Sequence, residues 1–229
     1  MASSRSVGTQ PRRQRLTRER ILRAAAELVE RDGLAALSMR SLAGKVGVEA
    51  MSLYNHIADK ADVLDGVAEL VLYDMEIPER TDDSFADVRA LAFAFREAAL
   101  AHPNAFPLLV SRQLRAPGAL RYTEAALSVL TDCGLDVRSA VRMLRAFLAI
   151  QTGSLIREVG APLSFTGEDV AGMRERIGQL SASEYPAVRS AAELLATTDR
   201  EVEYAFGVDT LISAIRVMCE GKPRQPART

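Results

Sequence analysis

Residues 38–57 constrain this chain more than any other stretch, because they read as two short helices folded over a tight turn. Ser38 offers a hydroxyl to the free N–H groups at a helix start. Leu42 and Val46 then give the first helix an apolar face at helical spacing. Ala43 is small where a crossing helix must come close, and Gly47 supplies the positive φ of a sharp turn. Val48, Leu53 and Ile57 anchor the second helix from below, which leaves Ala50, Met51, Ser52, Tyr54, Asn55 and His56 pointing outward. A helix that merely faces water carries Glu and Lys. This one carries small, hydroxylic, aromatic and amide groups, the kind that read base edges and phosphates.

Charge supports the same direction. The net charge is −1, but residues 1–60 hold 11 Lys/Arg and 6 Asp/Glu, so a head of +5 is joined to a body of −6. Such a dipolar chain suits a polyanion bound at one end. Gly44-Lys45-Val46-Gly47 also satisfies the GxxG loop of an RNA-binding KH domain. That domain needs strands, and no alternating strand pattern is present.

Around this unit the periodicity is helical throughout. Residues 1–16 are polar, contain Arg5, Arg12, Arg13 and Arg15, and are expected to form a disordered basic arm. Those arginines either enter a minor groove or only aid solubility, and the sequence leaves both open. Thr17 is an expected N-cap, with Arg20 where a capping box would place Glu. Ile21, Ala24, Ala25, Leu28 and Val29 form a first helix that ends at Asp32-Gly33 and completes a three-helix core over 17–62. Asp59 caps a fourth helix through Val63, Leu64, Val67, Leu70 and Val71, running out near Pro78. Further helices are expected over 84–101, 119–132, 136–159 and 199–220, with short helices and loops over 160–198. The 136–159 helix shows little polar face beyond Arg138, Arg142 and Arg145, so it packs on more than one side. The fold class is therefore all-α: a helix–turn–helix domain, a connecting helix, a helical body over 63–221 and a flexible tail over 222–229.

Several function classes are disfavoured. Two cysteines and two histidines, all far apart, form no metal or redox pattern, and no cofactor is expected. No Ser/His/Asp arrangement or phosphate loop supports an all-α enzyme. A helical protein-interaction adaptor accounts for the helices but leaves the charged head unexplained. No apolar run approaches the ~20 residues of a membrane span, and no apolar stretch follows the N-terminal arginines, so a cytoplasmic location is expected.

With those residues in view, the chain resembles the TetR family of bacterial transcriptional repressors. The resemblance is strongest over residues 17–76, through Gly47-Val48-Glu49 and Leu53-Tyr54-x-His56, with a weaker echo from Tyr204 to Ile212 in the last helix. It implies a homodimer that binds a palindromic operator in double-stranded DNA and is released by a small-molecule effector. Carried over by position, it places Arg40 against a guanine and Ala50, Met51, Ser52 and Asn55 along the groove. Tyr54, His56 and Lys60 fall on positions that grip the backbone. Whether the chain represses or activates is left open, as is the effector. Where tetracycline-binding members carry pocket histidines and an asparagine, this chain has Leu109, Glu76 and Leu91, and only the aromatic at Phe95 survives. Magnesium-bound tetracycline is therefore not expected. The expected pocket is apolar, built from Phe95, Phe106, Leu109 and Phe147, with polar groups from Arg112, Gln113, Arg145 or Gln151.

Overall fold

The computed structural model describes residues 15–111, 120–159, 170–197 and 199–220. The expected arm, but for its last two residues, and the tail over 222–229 lie outside the described residues, as do Arg112 and Gln113. Every regular element among the described residues is helical, as the periodicity requires. Helix α1 spans Arg18–Asp32, α2 Met39–Val46, α3 Ala50–Leu53 and α4 Lys60–Asp74, with a 3-10 turn over Leu34–Ala36. The body follows with α5 Ser84–Ala101, α6 Phe106–Ser111, α7 Leu120–Asp132 and α8 Val137–Glu158. Short helices α9 Val170–Gly178, α10 Pro186–Ser190 and α11 Ala192–Ala196 precede the last helix, α12 Arg200–Glu220.

Local chemistry sets these boundaries. The Thr17 hydroxyl accepts the Arg20 N–H at 3.2 Å, which starts α1, and Asp59 accepts the Asp62 N–H at 2.8 Å to start α4. Asp83 and Asp136 cap α5 and α8 in the same way. Each oxygen satisfies N–H groups that a helix start leaves without partners. The fourth helix ends at Asp74, short of Pro78, because Met75 turns extended and buries its side chain in the body.

Two apolar cores result. Ile21, Val29, Leu42, Leu53, Ile57, Val63 and Val67 form the first, under the head. Phe95, Phe106, Leu130, Leu144, Phe147, Tyr204 and Ile215 belong to the second, in the body. Two helices serve both. The start of α4 packs in the head, whereas Leu72 and Met75 pack in the body. In α6 and the turn before it, Ala105 and Leu108 join the head's core, Phe106 joins the body's, and Leu109 touches each. Glu30, near the end of α1, fastens this corner. Its carboxylate accepts the N–H of Ala105 at 2.9 Å and of Asn104 at 3.2 Å, and the Asn104 amide donates to the Glu30 carbonyl at 2.8 Å.

Elsewhere in the body, buried Asp87 accepts hydrogen bonds from Arg80 Nε and from the N–H and hydroxyl of Thr81, which pins the segment before α5. Helices α8 and α12 cross so closely that a Cβ on Gly207 would lie 3.1 Å from Ile150 Cγ2.

The start of α4 is tied to α1 by Asp62. Its carboxylate accepts both Arg18 guanidinium N–H groups, at 2.8 and 2.6 Å, and the Ala58 N–H at 2.8 Å. The Arg18 guanidinium, aided by Ala58, holds the Asp62 carboxyl below the usual carboxylate range despite some burial. A carboxyl lowered in the folded state stabilises fully above its unfolded value of about 4 and loses that contribution as pH falls through the folded value. Asp62→Ala should therefore cost about 1 kcal/mol at pH 7, a modest figure because Arg18 is partly exposed. Denaturant titration should show the gap between variant and wild type closing as the solution is taken well below pH 4.

Candidate nucleic-acid interface and interior cavity

The head is shaped by its turn. Ser38 and Ser41 cap α2 reciprocally: the Ser41 N–H donates to the Ser38 hydroxyl at 3.0 Å, and the Ser38 N–H to the Ser41 hydroxyl at 2.9 Å. Gly47 ends α2 in the left-handed region at φ 75°, donating its N–H to the Ala43 carbonyl at 2.9 Å. A side chain there would be strained, so glycine is what lets α3 leave at its angle. Helix α3 ends at Leu53, whose carbonyl then accepts the N–H groups of both His56 and Ile57, at 2.9 and 3.1 Å, in the turn that follows. Leu53 and Ile57 stay buried beneath, as their spacing implied.

Three polar ties hold this unit on α1. Arg20 does not complete a capping box. Its guanidinium instead donates to the Val46 carbonyl at 3.2 Å, where a cation complements the negative end of α2. Lys45 pairs with Glu27 at 2.8 Å and lowers that carboxylate's pKa. The third tie is Arg18–Asp62, which fixes the start of α4 and with it Lys60.

Above this base the expected contact residues form one exposed surface. Met51 is 75% exposed and Tyr54 46% exposed, while Arg40, Asn55, His56 and Lys60 are exposed and Ser52 is half-buried. Ala50 differs from its outward expectation, being half-buried against the edge of the head's core. The side chains of Arg40, Asn55, His56 and Lys60 make no hydrogen bond or ion pair with another described residue. A cation, an amide and an imidazole left open on a rigid base, with Lys60 at the positive start of α4, make a surface able to meet a polyanion and read its bases.

The expected pocket residues do not share one wall. A small cavity of about 20 Å³ lies between α5, α7 and α8, lined by Val88, Leu91, Ala92, Tyr122, Ala126, Leu130, Leu144 and Phe147. Of the residues expected, Phe147 lines it. Phe95 lies against both Tyr122 and Phe106, with ring centroids 5.1 and 6.0 Å apart. Leu109 sits at the junction of the two cores, and Arg145 is exposed on α8. Gln151 is fully buried. It donates to the Tyr204 hydroxyl at 3.0 Å and receives the Tyr122 hydroxyl at 3.3 Å. The Tyr204 hydroxyl in turn donates to the Ala92 carbonyl at 2.6 Å. Burial raises the pKa of both phenols, so they stay neutral. Spacing in the sequence gave no sign of Tyr122 or Tyr204, because this cluster gathers side chains from three helices and a backbone carbonyl from a fourth.

Known proteins carry the same architecture. Residues 21–67 match the family of bacterial regulatory proteins, tetR family, and residues 77–219 match the tetracyclin repressor-like C-terminal domain. An HTH-type transcriptional regulator of Saccharopolyspora erythraea is 34% identical over 76% of this chain and 73% of its own length. The class D tetracycline repressor protein of Escherichia coli is 26% identical over 89% of this chain and 90% of its own. Among solved structures, ActR of Streptomyces coelicolor in complex with actinorhodin superposes with a TM-score of 0.81 at 23% identity, covering 91% of this chain and 99% of that one. These matches set aside the enzyme and adaptor readings. The head that reads as a helix–turn–helix, and the helical body behind it, belong to a member of the TetR family of bacterial transcriptional regulators.

Proposed function

We propose that this chain is a cytoplasmic homodimeric repressor that grips a palindromic operator through two copies of its head and lets go when a small molecule enters its body. The observation that carries the reading is the open set of Arg40, Asn55, His56 and Lys60 on the turn-braced head. In this account Arg40 pairs with a guanine, and Met51, Ser52 and Asn55 read the groove beside Ala50. Tyr54, His56 and Lys60 hold phosphates and set register. The head is the DNA-binding domain over 17–62, and the body over 63–221 dimerises and takes the effector. No helix among the described residues is long and apolar enough to cross a membrane, in keeping with a regulator working beside its DNA.

The dimer reading rests on apolar surface left uncovered in the single chain. On α12, Val202, Phe206 and Val217 are exposed, Phe206 to 71%, and their spacing keeps them along one side of the helix. On neighbouring α8, Ile150 is also exposed, beside Gly207 of α12. A twofold mate laying its own α8 and α12 across this face would bury it as a four-helix interface. It would also set the two heads for successive major grooves, ~34 Å apart.

Two measurements test these roles. In gel shifts against its own promoter and against random duplex, Arg40→Ala should lose about 1–3 kcal/mol of discrimination at one base position. Lys60→Ala should weaken all sequences alike and flatten the salt dependence by about one ion. A wild-type protein with no preference for its own promoter would defeat the reading. In sedimentation, Phe206→Glu should convert dimer to folded monomer. A variant still dimeric at low micromolar concentration would place the interface elsewhere.

A further inference from the structure

The hydrogen-bond cluster beside the body cavity has directions that a single atom decides. The Ala92 carbonyl can only accept, so the Tyr204 hydroxyl, 2.6 Å away, donates its proton there. The Gln151 amide also approaches that carbonyl, at 3.4 Å, so its nitrogen faces Ala92 and its second N–H goes to the Tyr204 oxygen at 3.0 Å. The Gln151 oxygen then faces the Tyr122 hydroxyl, which donates to it at 3.3 Å. Both phenol protons and both amide protons are thereby committed. What the cluster has to spare is acceptor capacity: lone pairs on the Tyr122 oxygen, and a second on the Gln151 oxygen behind a long first bond.

Tyr122 is also the one lining residue of the cavity whose side chain carries oxygen or nitrogen. Arg96, the nearby cation of α5, is held by Glu158, with Nε–Oε2 at 3.0 Å. From this we infer that the effector, taken to be the small molecule of the repressor reading, is an uncharged and largely apolar ring compound. It presents a hydroxyl or N–H donor to the Tyr122 oxygen. Among the described residues, a carboxylate or phosphate would face acceptors with no free donor and no free cation, and would lose its hydration uncompensated. An ether would leave the Tyr122 oxygen unmatched.

At about 20 Å³ the cavity has room for about one water. A ring-sized guest fits only by parting α5, α7 and α8. The chain Tyr122–Gln151–Tyr204 carries that displacement to α12, because Tyr204 is one of its buried residues.

The test uses three probes of one ring size on the intact protein: 2-naphthol, 2-methoxynaphthalene and 2-naphthoate, with binding followed by calorimetry. Wild type should bind 2-naphthol roughly tenfold more tightly than either of the others. Tyr122→Phe should remove most of that advantage while leaving 2-methoxynaphthalene unchanged, which shows that the cavity persists. Equal binding of alcohol and ether, tightest binding of the carboxylate, or an advantage that survives Tyr122→Phe would each overturn the inference. So would binding of none of the three. In that event, preferential promoter binding by the same preparation would leave the repressor reading standing, and its absence would show that reading failing separately.

Discussion

The apolar cores of the head and the body are joined by shared elements. Helix α4 begins in one apolar core and ends in the other, and the α6 corner inserts Ala105 and Leu108 into the head while Phe106 fills the body. Close-packed cores do not deform gradually. A shift of α6 or of the end of α4 must therefore either reorient the head or open a void under it. Glu30 makes slippage harder still, since withdrawing its carboxylate would strand the N–H of buried Ala105. Everything proposed about control depends on this sharing.

Seen this way, the small cavity and the rigid head are two ends of one mechanical element. The effector gains nothing by binding tightly to both states, because only a difference in affinity moves an equilibrium. The body in its described form nearly fills its own pocket, so a guest necessarily favours another arrangement. The Tyr122–Gln151–Tyr204 cluster joins α7, α8 and α12 and is anchored on α5 through Ala92. Parting α8 from α7 or α12, or α12 from α5, disturbs these buried hydrogen bonds.

The head was the more legible half. Ser38, Gly47, Leu53 and Ile57 act over short separations, where caps, turns and helical spacing speak directly through the sequence, and all four play the parts their positions imply. Arg20 shows the limit even there: read as a defect in a capping box, it serves instead as a tie to the Val46 carbonyl, 26 residues on. The helices of the body were equally plain, since the segments expected over 84–101 and 136–159 form as α5 and α8, with Asp83 and Asp136 as their caps. Its pocket was not. Phe147 and Gln151 could be suspected as apolar and polar members of one long helix, but Tyr122 and Tyr204 meet them across gaps of 29 and 53 residues that no periodicity encodes. Ala50, half-buried where exposure was expected, reflects how short α3 is, with its first turn still leaning on the core.

The central claim is that two identical heads, held at a fixed spacing by their bodies, read DNA together. Hydroxyl-radical footprinting of the promoter duplex tests it most directly. The account predicts two protected patches related by a dyad and about one helical turn apart, ~10 base pairs centre to centre, on one face of the duplex. A single isolated patch, or protection spread evenly along the duplex, would contradict it.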